Sequence, residues 1–409
     1  MAPRPSRILL ADCDQMFVAV ARLIDPEGAG RAKLLVVGGR ANSRGVVCSA
    51  SYEARAFGVH AGMPAARAAR LCPGAMFVPV PGRACGEAHR KIRKVLEQWA
   101  PVVQAASVDE FYLDLSGTER LYRGESLTET AQRLRSLVHV ETGFTLSIGG
   151  GTNRLIAKMA AEQAKPKPGS AGTGVLVVPP GEEPAFMAER MLAEIPGVGP
   201  RFQSILRKRS LVSVRDALRL EPSILRQWFG DGTGRWLYRR IRGQGSDAVS
   251  DSPENRSMSR EQTFFEDLTT DEAIQRRLLR LLTGLAASLR SEGLAAHCVT
   301  VKLRDHDFRT RQASRTVRDP ISTDRALFRV ARDLLAGLRS RRRVASRLVG
   351  IKFSSLTSIR GPHQLSFFPP EAEETPRDRR LAGAVDAITK KMGDTAIGPA
   401  RLTRSKPRT

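Results

Sequence analysis

Two short acidic clusters, each closing an apolar run, constrain this chain more than any other feature. The first is Asp12-Cys13-Asp14, after Ile8-Leu9-Leu10-Ala11. The second is Asp109-Glu110, within Ser107-Val108-Asp109-Glu110-Phe111-Tyr112-Leu113-Asp114 and behind the apolar residues Val102, Val103, Ala105 and Ala106. Runs of this kind bounded by turn residues read as strands, the second as one arm of a hairpin ending at Leu115-Ser116-Gly117. If the two strands pair, three or four carboxylates meet at one sheet edge, which is tolerable only when they are partly solvated or neutralised by cations. Neighbouring side chains on a strand point to opposite faces. Asp109 and Glu110 therefore converge on one ion only if the backbone turns or bulges between Ser107 and Glu110. Hard divalent ions prefer oxygen ligands, so the expectation is a carboxylate-held Mg²⁺ site for phosphoryl chemistry. An isolated Asp-Glu pair is more often two solvated strand ends, and the rest of the chain has to decide.

Charge narrows the partner. The 66 Lys and Arg residues outnumber the 42 Asp and Glu, for a formal net charge of +24. Such an excess predicts a polyanion, most simply nucleic acid, bound in a salt-sensitive way. An anionic membrane surface is the rival, but no long basic amphipathic helix stands out. No apolar run approaches the ~18 residues of a membrane span. No signal-peptide pattern precedes the first strand. The five cysteines are scattered without a Cys-x-x-Cys pair, which suits reduced thiols in the cytoplasm and argues against structural zinc.

The 409 residues suggest roughly three domains at about 150 residues each. Strands alternate with helices to about residue 180, which predicts an α/β or α+β region. An all-helical region follows to about 245 and contains the turn Ile195-Pro196-Gly197-Val198-Gly199. Residues 244–255, rich in Ser, Asp and Gly, read as a linker. From 256 to 356, strand-like runs (297–303 and 345–353) flank basic helices (270–292 and 324–343). Beyond 358 the chain is polar and Pro-rich, expected to be poorly ordered apart from a helix near 380–392.

The ordered motifs Asp12-Cys13-Asp14-Gln15-Met16-Phe17, Tyr52-Glu53-Ala54-Arg55, Ser107-Val108-Asp109-Glu110, Ala164-Lys165-Pro166 and Pro196-Gly197-Val198-Gly199 resemble those of the Y-family translesion DNA polymerases, bacterial DNA polymerase IV branch. The resemblance covers about residues 7–357. It implies an α+β multidomain right hand: palm at 1–30 and 76–180, fingers at 31–75, a helical thumb at 181–245 with a helix-hairpin-helix-like turn, a linker at 246–255, a little finger at 256–357 and a flexible tail at 358–409. It also implies template-directed extension of a primer from dNTPs, at low fidelity, during the response to DNA damage.

By the same resemblance, Asp12 and Asp109 bridge two Mg²⁺ ions, Glu110 helps hold the ion on the nucleophile side, and the Cys13 carbonyl ligates the other. Asp14 is given a supporting role. Tyr52 and Arg55, three apart on a helix and hence on one face, suit a triphosphate as phenol donor and guanidinium fork. Lys165 reaches the same phosphates. Phe17 is the steric gate that excludes a 2′-hydroxyl; read alone, it is a core Phe on the first helix. Gly197 and Gly199 let backbone N–H groups approach a DNA phosphate, and Arg256, Arg260 and Lys302 are little-finger contacts to the DNA backbone.

In the tail, Gln364-Leu365-Ser366-Phe367-Phe368 resembles the peptide that docks on the β sliding clamp, with Gln364, Leu365, Phe367 and Phe368 as its contacts. The implied partners are primer–template DNA, dNTP and the clamp, with no membrane and a monomeric chain. Gln15-Met16 stands where the family usually begins an aromatic pair, and Ala21 where an acidic residue is common. These departures touch nucleotide-pocket packing and helix charge, not the metal ligands. Three other readings stay open: an inactive polymerase-like accessory protein, a palm-fold nucleotidyl cyclase and an architectural DNA-binding module.

Overall fold

The computed structural model describes residues 5–122, 124–167, 172–251, 255–359, 374–393 and 396–402. The chain divides into two compact units, Met1–Pro253 and Glu254–Thr409.

The first unit begins with β1 (Ile8–Cys13) and α1 (Met16–Ile24), then β2 (Leu35–Gly38), β3 (Val47–Ala50), α2 (Tyr52–Arg55), α3 (Ala65–Leu71) and β4 (Met76–Val78). It continues with α4 (Gly82–Glu97), β5 (Val102–Ala105), β6 (Glu110–Asp114), α5 (Leu127–Thr142), β7 (Leu146–Gly151), α6 (Arg154–Ala164) and β8 (Val175–Val177). One sheet runs β5-β6-β1-β7-β8, and a smaller one β3-β2-β4. The three-residue strands β4 and β8 are not evident from the sequence, being too short to carry a period. β7 also runs through Gly149-Gly150-Gly151, which read as the end of a strand.

Every side chain of β1 is buried, and its alternation sets the layers. Leu9, Ala11 and Cys13 pack with Ile92, Leu96, Leu134 and Val138 of α4 and α5. Ile8 and Leu10 face the other way, onto Ala157 and Ala161 of α6. Asp12 continues that second face. A Cβ on Gly149 would lie 2.0 Å from the Ala161 nitrogen and 2.1 Å from the Ala157 oxygen, so only glycine lets α6 lie backbone-close to the sheet. Helix α5 is fixed at both ends, by a Ser126–Glu129 capping box and by Gly143 in the left-handed conformation.

The helical region comprises α7 (Glu183–Ala188), α8 (Pro200–Arg207), α9 (Val214–Leu218), α10 (Pro222–Phe229) and α11 (Asp231–Arg240). Its core joins Leu206, Leu225 and Leu237 to Leu155, Ile156 and Met159 of α6. Gly197 has φ 101 and a Cβ there would meet the Trp236 ring at 2.8 Å, while Gly199 is the N-cap of α8.

The second unit holds β9 (Ser257–Leu268), α12 (Asp271–Ser291), β10 (Leu294–Asp305), β11 (Thr310–Ile321), α13 (Asp324–Arg341), β12 (Ser346–Ser358) and α14 (Pro376–Met392). The sheet order is β11-β10-β12-β9, antiparallel throughout. Val299, Val301 and Leu303 face the apolar stripes of α12 and α13, while Thr300, Lys302 and Arg304 take the other face. Helix α14 starts four residues before the expected 380 and buries none of its side chains. It is tied by charge: Arg290 pairs with Asp386 (2.7 Å) and Arg325 with Asp378 (3.2 Å). Glu374, just ahead of it, accepts from the Ser322 and Thr323 N–H groups at the start of α13. Among the described residues no helix is long and apolar enough to cross a membrane.

Candidate active site

The two acidic clusters do meet. β1 pairs antiparallel with β6, Asp12 opposite Glu110, and on its other side with β7, Asp12 opposite Ser147. Directly opposed residues share a face, so Asp12 and Glu110 both look toward α6. The required backbone turn is present: β6 starts at Glu110, not Ser107, and residues 106–109 form the turn of the β5–β6 hairpin. The Ser107 hydroxyl donates to the Asp109 carboxylate and accepts the Asp109 and Glu110 N–H groups at 3.2 and 3.1 Å. The Asp109 carbonyl accepts the Cys13 N–H at 2.9 Å, which locks the turn to the end of β1.

The carboxylates are not gathered around one point. Among the described residues no three His, Cys, Asp or Glu side chains form a group able to hold a metal ion. The expected cluster is instead spread over two lysines and a serine. Lys165 Nζ lies 2.7 Å from Asp12 Oδ2 and 2.6 Å from Glu162, and Lys158 Nζ lies 2.7 and 2.8 Å from the two Glu110 oxygens. Burial pushes the Asp12 carboxyl up to about 7 against the pull of Lys165. Burial also opposes the Lys165 and Lys158 ammonium groups, but the carboxylates beside them outweigh it and hold both above the usual lysine range.

In donor chemistry, though not in the lysine-paired arrangement, these groups suit divalent cations. They offer three carboxylates of hard oxygen and the Cys13 carbonyl, and they recruit ammonium groups to two of the three acids. The Cys13 side chain packs in the sheet core with Ile92 and Leu96, and desolvation pushes its thiol well above the ordinary value.

Beside this edge stands α2. Its N-cap is Ser51, whose hydroxyl accepts the Ala54 N–H and donates to the Lys33 carbonyl. Arg55 lies over the Tyr52 ring at 5.1 Å, so the two share a face as their spacing requires, and Arg55 Nε donates to the Ala50 carbonyl. The Tyr52 hydroxyl points at Asp14, 3.5 Å away, and burial pushes its pKa up to about 12. Asp14, 8% exposed, accepts from Ser147 at 2.7 Å. Phe17 is half-buried between the β1 sheet core and the α1–β2 packing. Asp114 accepts the Ser116 N–H and takes no part here.

Of the other candidates, Arg256 and Arg260 are exposed and Arg260 donates to Ser288. Lys302 is not a free cation, because Glu261 takes its ammonium at 2.8 Å. Gln364, Leu365, Phe367 and Phe368 lie outside the described residues. The sequence reading missed Lys158 and Ser147, and took Gln15 only as a departure from the family pattern. Lys158 had a signal: it stands seven residues, about two helical turns, before Lys165, which directly follows the last residue of α6.

Comparison with known proteins agrees. The chain matches the impB/mucB/samB family over residues 11–162 and that family's C-terminal domain over 255–367. It is similar to a Y-family DNA polymerase chimera of Dbh and Dpo4, with TM-score 0.75 and 25% identity over 86% of this chain and 99% of that one. An insertion ternary complex of Dbh DNA polymerase gives TM-score 0.59 at 25% identity, over 85% and 98%. The class is thus the right-hand DNA polymerase with palm, fingers, thumb and little finger. Relatives named DNA polymerase IV are 32% identical in Dehalococcoides mccartyi, over 98% of both chains, and 35% identical in Alkalilimnicola ehrlichii, over 86% of this chain and 96% of that one. The chain belongs to the Y-family translesion DNA polymerases, in the DNA polymerase IV branch, whose members depend on divalent metal.

Proposed function

We propose that the chain extends a primer on a DNA template, joining each dNTP by in-line attack of the 3′-hydroxyl on the α-phosphorus with loss of pyrophosphate. The observation that carries the reading is the Asp12–Glu110 pair on one sheet face with Lys158, Lys165, Tyr52 and Arg55 around it. Asp12, Asp109 and Glu110, with the Cys13 carbonyl, would hold two Mg²⁺ ions. Such ions lower the pKa of the attacking hydroxyl and stabilise the charge on the leaving oxygen.

The residues themselves supply placement. Tyr52 donates to and Arg55 forks two triphosphate oxygens, and Lys165 adds a point charge once it leaves Asp12. Phe17 packs under the sugar and refuses a 2′-hydroxyl. Gly197, Gly199, Arg256 and Arg260, with Lys302 once it leaves Glu261, hold the DNA backbone without reading bases. We assign palm, fingers, thumb, linker, little finger and tail to the ranges given above, and place the monomeric chain in the cytoplasm. Residues 364–368 are the clamp peptide, which tethers without fixing geometry.

The test is primer extension in Mg²⁺ with each dNTP, beside the double variant Asp109→Ala with Glu110→Ala. Extension by the parent alone, with DNA binding kept by both, is expected. Equal extension by both would remove the carboxylates from the chemistry, and binding without extension by either would make the chain an accessory protein.

A further inference from the structure

We propose that Gln15 is a positioning residue for the incoming nucleotide: it pins the helix that carries Tyr52 and Arg55 to the strand that carries Asp12. The proposal rests on the reading of Tyr52 and Arg55 as triphosphate contacts.

Gln15 is the second of the two residues between β1 and α1, with φ 49 and ψ 41. That left-handed conformation is strained for a residue with a Cβ, and glycine would be its neutral occupant. The side chain makes use of the position. Its Oε1 accepts the Tyr52 N–H at 3.0 Å. Tyr52 is the first residue of α2, whose four residues are too few to hold a helix alone. The N–H groups of its first turn need outside acceptors. Ser51 serves Ala54 from within the fingers, and Gln15 serves Tyr52 from the palm.

The turn that carries Gln15 is itself held. The Asp14 N–H donates to the Thr145 carbonyl at 3.0 Å, and the Asp14 carboxylate accepts from Ser147 and faces the Tyr52 hydroxyl. Position is therefore passed from β7 through Asp14 and Gln15 to the backbone and phenol of Tyr52. The same turn lies three residues after Asp12 and two before Phe17. One hydrogen bond thus fixes the triphosphate contacts against both the metal-binding strand and the sugar gate.

The experiment is single-nucleotide insertion on saturating primer–template, reading kcat, dNTP KM, DNA affinity and thermal midpoint for Gln15→Met, Gln15→Gly, Gln15→Glu and Arg55→Ala. Losing one such hydrogen bond should raise dNTP KM about fivefold in Gln15→Met, with kcat and DNA affinity within about twofold. Gln15→Glu, which keeps the acceptor, should recover most of that loss. Gln15→Gly relieves the left-handed backbone, so its midpoint should hold or rise while its KM rises as in Gln15→Met. An unchanged KM in both Gln15→Met and Gln15→Gly, with KM raised in Arg55→Ala, overturns the role of Gln15 and leaves the triphosphate reading standing. An unchanged KM in Arg55→Ala overturns the triphosphate reading, and the proposal with it. A normal KM in Gln15→Gly alone would show that only the turn's backbone matters.

Discussion

The palm edge and the β10–β11 hairpin of the second unit both bury a carboxylate beside cations, and they put it to opposite uses. In the hairpin, Asp305 is 0% exposed and accepts from Arg311 at 2.9 and 3.1 Å and from Arg342 at 2.6 Å. Arg311 also donates to the Leu338 carbonyl, so both sides of the network are satisfied. At the palm edge, Asp12 is 5% exposed and has the single ammonium of Lys165, shared with Glu162. A guanidinium fork is preorganised and does not leave a carboxylate cheaply, whereas a lysine on a flexible stem can withdraw. The matched network holds a fold together. The under-matched one leaves a demand for cations, which is what a metal-dependent site needs.

The largest expected effect breaks the palm edge without harming the fold. Asp12→Asn should lower primer extension by a factor of ~10³ or more, since metal-held charge stabilisation is worth several kcal/mol. Its thermal midpoint should not fall, because the change removes a charge that burial disfavours. An unfolded Asp12→Asn protein would mean that both regions are structural. The converse variant, Asp305→Ala, should cost about 3 kcal/mol of stability by stranding Arg311 and Arg342, with extension kept where the protein stays folded. Urea unfolding with a parallel activity assay reads both, and a stable Asp305→Ala would erase the contrast.

The two regions also differ in how far the sequence foretold them. The acidic clusters, their pairing and the neighbouring Tyr52–Arg55 face follow from apolar runs, helical spacing and family motifs. Gln15 does not, because its role comes from a left-handed turn and a contact 37 residues away. The departures at 16 and 21 prove to be packing: Met16 fills the sheet core, and Ala21 packs with Leu35 and Val37 of β2, where a carboxylate would be buried. The second unit hid more. Thr-Arg-Gln-Ala-Ser-Arg-Thr-Val-Arg-Asp-Pro-Ile of β11 carries too little apolar signal to read as a strand, because an edge strand with one solvated face is built from charged and polar residues. The Asp305 network joins residues separated by 6 and 37 positions, and no local pattern announces it.

A smaller effect tests whether the palm lysines stand in for metal. Lys158 competes for Glu110, so Lys158→Ala should lower the half-saturating Mg²⁺ concentration about threefold, a fraction of the strength of a charged hydrogen bond. A rise instead would make Lys158 a support that holds Glu110 in place, and the palm pair would then resemble the hairpin pair.

The smallest effect belongs to Asp307, two residues from Asp305 in the hairpin. The hydrogen bond from Arg342, 2.9 Å away, holds the Asp307 carboxyl down to about 2 from the ordinary 3.8. A group whose folded pKa is depressed stabilises the fold above its unfolded pKa and loses that contribution as pH falls through the folded one. The window is therefore between 3.8 and about 2. Asp12, pushed upward by burial, has the opposite sign: its proton is bound more tightly in the fold, so acid does not cost it stability. Thermal midpoints of the full chain between neutral pH and about pH 2, taken for the parent and for Asp307→Asn, isolate the hairpin contribution. The parent should lose more than the variant inside the window and run parallel to it above. Parallel curves throughout would show that the exposed half of the Arg342 pairing is screened away, leaving the matched character of the hairpin to the buried Asp305 alone.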